Sequence, residues 1–556
     1  MRRLRPSFVA RANLRCLLLG LAVVLLALSN ASTASADDGA PDTTFGTGGA
    51  AFATGPGTPA PDQITINALV RSADGRLYAV GSARFGGSDT RFYVERFLPG
   101  GTPDAGFGDN GAALVDFRGS LLDEARSAVL QPDGKLIVAG YVRNAQGLLD
   151  PAIARLLTQG PGAGALDPTF AQAGRLVDTS FEQSGPAGPG SALAAAVVIE
   201  PNNTVTRIRI FGPLTSPTFH LWPDMIQATY DLDGTKISSN ANGDFANVEA
   251  AVARSDGRYA VAGFGSPTIG GPVDAPSAFA IGLNEPSTRI QFPGSTDSFA
   301  EALTLTPDGG AVAAGSAVLG GARRIALAKV KLPFPEGKSP IDTSFGSNGR
   351  VLTGVFGNAR ARAILAQSDG KLVVAGTAKN GGNDFFVLVR YDADGSLDPS
   401  FGGDGIVTTL LPGVGGQIPG GIVRTDDGRL VLGGSARLTS GEKDVVLTRY
   451  GRGPCSATLG CVSVLALPKN AVLVSADLQL SRQVGILVHQ VGRQGHVMLI
   501  GRVPFGRQHA GNIHIRWNLR VNGKRLRAGT YLVNVRALRG GRVVAVSKPV
   551  RIRIGR

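Results

Sequence analysis

One segment recurs along this 556-residue chain and limits its fold more than any other feature. It reads GRLYAVG at 75–81, GKLIVAG at 134–140, GRYAVAG at 257–263, GGAVAAG at 309–315, GKLVVAG at 370–376 and GRLVLGG at 428–434. An aspartate precedes each copy: Asp74, Asp133, Asp256, Asp308, Asp369 and Asp427. The spacings are 59, 123, 52, 61 and 58 residues, so the long interval hides one degenerate copy, placed at Asn202-Asn203 before TVTRIRIFG. That makes seven repeats. A second element, Asp-x-x-Phe, recurs at Asp42/Phe45, Asp104/Phe107, Asp167/Phe170, Asp342/Phe345 and Asp398/Phe401. Its spacings of 62, 63, 175 and 56 also count to seven once the long gap is read as three periods. A third element is arginine followed by a bulky apolar residue: Arg96-Phe97, Arg155-Leu156, Arg390-Tyr391 and Arg449-Tyr450.

Each unit translates into strands. Asp-Gly between apolar runs is a hairpin turn, because glycine accepts positive φ without steric cost. The run after the turn, such as Leu136 to Ala139, is apolar without alternation, as in a strand covered on both faces. The run before the turn (Ala125 to Leu130), the run ending in Arg-Φ (Phe385 to Tyr391) and the run after Asp-x-x-Phe-Gly (Gly405 to Thr409) supply three more. Four strands per unit of about sixty residues predict an all-β, seven-bladed β-propeller over 37–451. Glycine, 78 of 556 residues, is about twice its usual ~7% share, as so many turns require. The first repeat begins at its Asp-x-x-Phe strand and the last ends at its Arg-Tyr strand. Residues 48–54 are therefore expected to complete the last blade and close the ring.

The segments SDGKLVVAG (368–376), FFVLVRYDADGSLDPSFGGDGIVTT (385–409) and QPDGKLIVAG (131–140) resemble the delta-60 repeat family of exported bacterial proteins. The resemblance spans about 415 residues, sharp in repeats 1, 2, 6 and 7 and weak in 3 and 4. It implies a propeller-like repeat fold at or beyond the cell envelope, and it carries over no catalytic residues.

The ends of the chain differ from its middle. Five arginines (Arg2, Arg3, Arg5, Arg11, Arg15), the apolar run LLLGLAVVLLAL (17–28) and Ala34-Ser35-Ala36 form a secretory signal peptide over 1–36. Twelve apolar residues are short for the ~20 that cross a bilayer, so no transmembrane segment is expected in the mature chain, which is placed outside the cell or at its surface. Cys455 and Cys461 are expected to pair as a small-loop disulfide in that compartment. Residues 452–556 read as about seven alternating strands, a β-sandwich, and RAGTYLVNVRALRGGRVVAVSKPVRI (527–552) resembles the closing strands of immunoglobulin-like modules.

Charge is partitioned. The net +14 divides into +5 in the signal, +17 in 452–556 (18 Lys+Arg against Asp477 alone) and the remainder, 14 − 5 − 17 = −8, in the repeat region. A basic face containing Arg516, Arg520, Lys524, Arg525 and Arg527 is the candidate contact for an anionic envelope polymer. Nucleic acid is not expected as a partner, since export removes it and stacking aromatics are few there. The propeller is expected to carry an unidentified protein or polysaccharide ligand.

Catalytic signals are sparse. His220, His489, His496, His509 and His514 form no metal-ligand motif, and no cofactor, metal or catalytic residue is assigned. Asp392-Ala393-Asp394-Gly395-Ser396-Leu397-Asp398 resembles part of a calcium loop but lacks the terminal glutamate. Turn capping by aspartate is the preferred reading, with calcium the alternative. The leading expectation is a non-catalytic binding or scaffold protein. The alternative is an extracellular propeller enzyme of hydrolase, lyase or quinone-dependent oxidoreductase type. Its site would lie where repeats 3–4 depart from the pattern, at Phe219, His220, Trp222, Asp224 and Met225.

Overall fold

The computed structural model describes residues 39–451 and 462–554, apart from positions 43, 48, 54, 57–59, 118–121, 182–189, 202–205, 216–223, 243–246, 266–277, 284–286, 334–338, 381–382, 412–413, 439–442, 468–470, 479–481, 492–496, 509–510, 540–541 and 547–549. The signal segment, Cys455 and Cys461 lie outside the described residues. The chain divides into two compact units, Asp37–Gly453 and one that holds Pro454–Arg556. Among the described residues no helix is long and apolar enough to cross a membrane.

The larger unit is all-β and propeller-like, built of antiparallel groups of consecutive strands, the first and last of which are joined by one parallel pair, Gln63↔Lys443. Gln63–Arg71, Leu77–Phe85, Asp89–Phe97 and Ala112–Val115 form the first sheet. Asp123–Leu130, Leu136–Arg143, Leu149–Leu156 and Arg175–Val177 form the second. Later sheets start with Ala196–Pro201, Asn247–Ala253, Ser295–Leu305, Ala359–Ala366 and Val414–Arg424. The first strand of each sheet packs against the first strand of the next, and Val414–Arg424 returns to pack on Gln63–Arg71.

The repeat's chemistry explains each sheet. At the Asp-Gly turns glycine takes the left-handed conformation, with φ of +85° at Gly134 and +88° at Gly370. The aspartate carboxylate accepts the amide two residues on, as Asp133 does from Lys135 at 3.1 Å. The strand after the turn is buried on both faces: Leu136 and Val138 pack toward the first sheet, Ile137 and Ala139 toward the third. Each such leucine, isoleucine or valine contributes roughly 1.5–3 kcal/mol by leaving water.

The Asp-x-x-Phe and Arg-Φ elements meet in a clamp. Arg96 Nε lies 2.9 Å from Asp104, Arg155 Nε 2.8 Å from Asp167, and Arg390 Nε 2.7 Å from Asp398. The same guanidinium stacks over the phenylalanine of the motif, 4.7–4.8 Å from the Phe107, Phe170 and Phe401 rings. The basic residue after the turn adds a second cation, Lys135 to Asp167 and Lys371 to Asp398, both at 2.9 Å. Burial opposes ionisation of Asp398, but the Ser400 hydroxyl, Lys371 and Arg390 outweigh it and hold the carboxyl well below the usual range.

The two ends of the unit join through the same clamp. Ala50–Ala53 pairs antiparallel with Lys443–Tyr450, from Ala50↔Thr448 to Ala53↔Val445. Asp42 receives Arg449 at 2.7 Å and Arg429 at 2.5 Å, and Arg449 stacks on Phe45 at 4.7 Å. An N-terminal segment thus completes the last sheet, as the order of elements along the chain predicts.

The smaller unit contains a three-stranded sheet (Val462–Leu467, Ala471–Leu478, Gly511–Trp517) and a five-stranded one. The latter is built on Arg482–Val491, Val497–Gln508, Gly529–Arg539, Arg542–Val546 and Val550–Ile554. Val484, Ile486, Val488, Trp517, Tyr531 and Val533 form its core. The apolar-rich run 512–521 does not form one strand: it breaks at Asn518, because Leu519 takes a positive φ of 60° and starts a short hairpin. Strand 542–554 likewise divides into two, which flank different parts of Gly529–Arg539.

Candidate functional site

The last glycine of the recurring segment has a role that turn chemistry does not explain. At Gly81, Gly140, Gly263, Gly315, Gly376 and Gly434 the φ is not left-handed, yet no β-carbon fits. It would lie 1.7 Å from the Thr65 carbonyl oxygen, 1.8 Å from Glu124, 1.6 Å from Asn247, 1.8 Å from Phe299, 2.2 Å from Arg360 and 2.2 Å from Ile418. The cause is a β-bulge in the first strand of each sheet. Its register gains one residue between Ile66 and Ala68, Ala125 and Ser127, Val248 and Ala250, Ala300 and Ala302, Ala361 and Ala363, and Pro419 and Gly421. In the third sheet the register passes from Ala192↔Leu214 to Ala196↔Phe211, again one residue longer on the first strand, and Gly212 crowds the Leu193 oxygen at 1.8 Å. A bulge bends its strand toward the partner and re-aims the extra side chain.

The bulged residue stands eight positions before the turn glycine in the six sheets with an Asp-Gly turn. It is Asn67, Arg126, Glu249, Glu301, Arg362 and Gly420, a set as varied as its surroundings are constant. Four of these side chains converge from different sheets. Arg126 reaches Glu249 at 3.4 Å, past the third sheet, where Ala195 stands at the equivalent position. Glu301 pairs with Arg362 at 3.3 Å and with Arg360, two residues earlier. Burial pushes the Glu249 carboxyl upward, and neighbouring Glu301 adds to this against Arg126, Arg362 and Arg360. Burial likewise lowers Arg362, whose guanidinium still stays charged at neutral pH.

Beside this cluster lies a partly enclosed cavity of about 170 Å3. Gln63, Thr65, Asn67, Ser82, Arg84, Thr90, Glu124 and Arg126 line it. Asn67 Nδ2 donates to the Ala125 carbonyl at 2.8 Å, and Glu124 accepts the Tyr141 hydroxyl at 2.5 Å. The cavity and the cluster share Arg126.

The residues singled out from sequence fall elsewhere. Phe219, His220 and Trp222 lie outside the described residues, Asp224 begins the strand Asp224–Tyr230, and Met225 is buried against Phe211 and Tyr259. In the smaller unit Arg520, Lys524, Arg525 and Arg527 are exposed. Arg520 pairs with Arg525 across the hairpin of Arg520–Val521 and Lys524–Arg525, and Arg516 lies on Gly511–Trp517. In the calcium-like turn, Asp394 accepts the Ser396 amide (2.9 Å) and hydroxyl (2.6 Å), while Asp398 sits in its clamp with Arg390. The axial cluster was not singled out from sequence. Its signal is a position that varies between repeats while the residues around it do not.

The class these features define is a β-propeller repeat protein. Residues 72–107, 131–170 and 367–401 match a family described as a domain of unknown function (DUF5122) beta-propeller. A search of curated proteins finds no match. Among solved structures the chain is similar to an α-L-arabinofuranosidase from Fusarium graminearum, at 8% identity and a TM-score of 0.38, covering 72% of this chain and 97% of that one. It is also similar to a sialidase mutant from Trypanosoma rangeli displaying trans-sialidase activity (10% identity, TM-score 0.33, 90% and 87% covered). A third similarity is to the PQQ-bound aldose sugar dehydrogenase from Streptomyces coelicolor (14%, 0.32, 59% and 95%).

Proposed function

We propose that this chain is an exported, non-catalytic binding protein whose recognition site sits where the first strands of seven blades converge. The seven-bladed count is supported by the repeat spacing and by the return of Val414–Arg424 to Gln63–Arg71. The observation that carries the reading is the bulge. Every repeat keeps the glycine that accommodates it, while the bulged residue varies among asparagine, arginine, glutamate and glycine. A constant frame presenting a variable residue suits recognition, and Arg126 and Arg362 pair with the two carboxylates of the cluster. The test is capture from the native cell envelope by the mature chain and by a Glu301→Gln/Arg362→Gln variant. A stoichiometric partner retained by the former and lost by the latter supports the reading, and a turned-over product would reverse it.

The C-terminal unit fits a basic immunoglobulin-like sandwich that contacts an anionic envelope polymer. Its exposed hairpin cations support this. So does Tyr531, whose hydroxyl donates to the Arg527 carbonyl four residues upstream at 2.9 Å, as in the tyrosine corner of such modules.

A second reading, a propeller hydrolase, draws on Glu249 and Glu301. One carboxyl is pushed toward its neutral form beside another clasped by two arginines, the division of roles that acid-assisted hydrolysis uses. Release of product from a glycoside panel, abolished by Glu249→Gln, would favour it over the first reading.

A further inference from the structure

The cavity beside the axial cluster has the size and chemistry of a specific kind of ligand. Its volume of about 170 Å3 is close to the ~150 Å3 that accommodates one six-membered ring. Its lining is polar: two hydroxyls from threonine, one from serine, two amides, two guanidiniums and one carboxylate. With no aromatic and no large aliphatic side chain lining it, it is a poor site for a nucleobase or an aromatic acid.

The hydrogen-bonding state of the lining is selective. Ser82 Oγ accepts the Ala125 amide at 3.1 Å, and Thr90 Oγ1 accepts the Asp123 amide at 2.9 Å. Both hydroxyls keep their proton to donate. Asn67 uses one N–H on Ala125 and keeps its carbonyl oxygen as an acceptor. Glu124, holding the Tyr141 hydroxyl, keeps a second oxygen. Donors and acceptors together around a ring-sized space match the hydroxyls of a sugar.

Arg84 adds the remaining element. Its Nε is buried and without a hydrogen-bond partner among the described residues, and no carboxylate among them pairs with its guanidinium. Arg91, on the neighbouring strand, pairs by contrast with Asp89 at 2.9 Å. A planar guanidinium left open in a partly enclosed polar site selects a carboxylate or phosphate, which its fork binds through two parallel hydrogen bonds.

We propose that the cavity lined by Thr65, Asn67, Ser82, Arg84, Glu124 and Arg126 binds a single sugar ring that carries an acid group, with the acid on Arg84. The inference rests on the axial binding reading, because Asn67 and Arg126 belong to both.

The test is titration calorimetry on the mature chain with glucuronate, galacturonate, glucose 6-phosphate, glucose and inorganic phosphate. At least one acidic sugar is expected to bind ten-fold or more tighter than glucose. Arg84→Gln should remove that preference while leaving the weaker glucose affinity in place. Thr65→Val should weaken acidic sugar and glucose alike, and unchanged melting of both variants shows that they fold. A preference for the uronates or for the sugar phosphate names the source of the acid, and either supports the proposal. Equal affinity for glucose and the acids, binding of inorganic phosphate as tight as glucose 6-phosphate, or no binding by any probe overturns it. If no probe binds while Glu301→Gln/Arg362→Gln still loses an envelope partner, this inference fails and the axial reading stands. If an acidic sugar binds and those substitutions change no partner, the reverse holds.

Discussion

Replacing Gly140 by alanine tests whether the bulge organises the centre of this propeller. The new β-carbon would meet the Glu124 carbonyl oxygen at 1.8 Å and the Ala125 Cα at 2.8 Å, both backbone atoms that no rotamer change can move. Relief requires the bulged strand to retreat by roughly 1.5 Å inside an interior packed to crystal density. Overpacking of that kind costs about 1–3 kcal/mol. A disturbed strand-pair hydrogen bond adds ~1 kcal/mol, and the stiffer unfolded chain returns ~0.4–1 kcal/mol. The net expectation is a loss of about 1–3.5 kcal/mol. Gly354→Ala is the control: nothing lies within 4 Å of its β-carbon and its φ is not left-handed, so a change within about 0.5 kcal/mol is expected. Urea unfolding of the chain from residue 37 onward measures both. Because the retreating strand carries Arg126, Gly140→Ala should also weaken whatever the axial cluster binds. If Gly140→Ala matches the control in stability, the bulge is not held in place by the glycine opposite it, and the reasoning fails.

Four further outcomes follow from the clamps and the charge partition. Asp42→Ala strips the partner from Arg449, a nearly buried guanidinium, and should cost about 3–5 kcal/mol in thermal unfolding, as breaking one side of a buried pair does. Deleting 37–55 should lower the melting temperature further, because it also removes the Ala50–Ala53 strand. Asp42, Asp104, Asp167, Asp342 and Asp398 all sit below their usual range despite burial, because hydroxyl, amide and cation partners outweigh desolvation. Their stabilisation is therefore complete above the unfolded value of ~3.9 and is lost as pH falls below it. Acid unfolding should be cooperative below about pH 4, and Asp398→Asn should flatten that dependence while lowering stability at neutral pH. In the C-terminal unit, neutralising Arg520, Lys524, Arg525 and Arg527 together to glutamine should weaken binding to an anionic polymer and reduce its salt dependence. Salt-insensitive binding would show that the contact is not electrostatic.

Much of the fold is legible in one dimension because its governing interactions are periodic. The Asp-Gly turns, the doubly covered strands and the clamp of Asp-x-x-Phe with Arg-Φ all repeat at about sixty residues. Asp42 and Arg449 carry their halves of that clamp at opposite ends of the unit, so closure could be anticipated from order alone. The candidate site was less visible. Attention falls naturally on repeats 3–4, where the pattern decays, whereas the axial cluster occupies regular repeats at their most variable position. Across repeats Asn67, Arg126, Glu249, Glu301, Arg362 and Gly420 read as noise on a conserved frame.

What the sequence determined by itself is the unit: its strands, its turns, the recurring aspartate and arginine, and the glycine at the end of each recurring segment. Only the tertiary structure decided what that glycine is for, and which of the variable side chains meet. A bulge is a property of two strands in register, and the contact of Arg126 with Glu249 spans three sheets. The bulge keeps a constant spacing to the turn, but the meeting of Arg126 with Glu249 has no signature in local spacing, because it arises from how separate sheets are arranged.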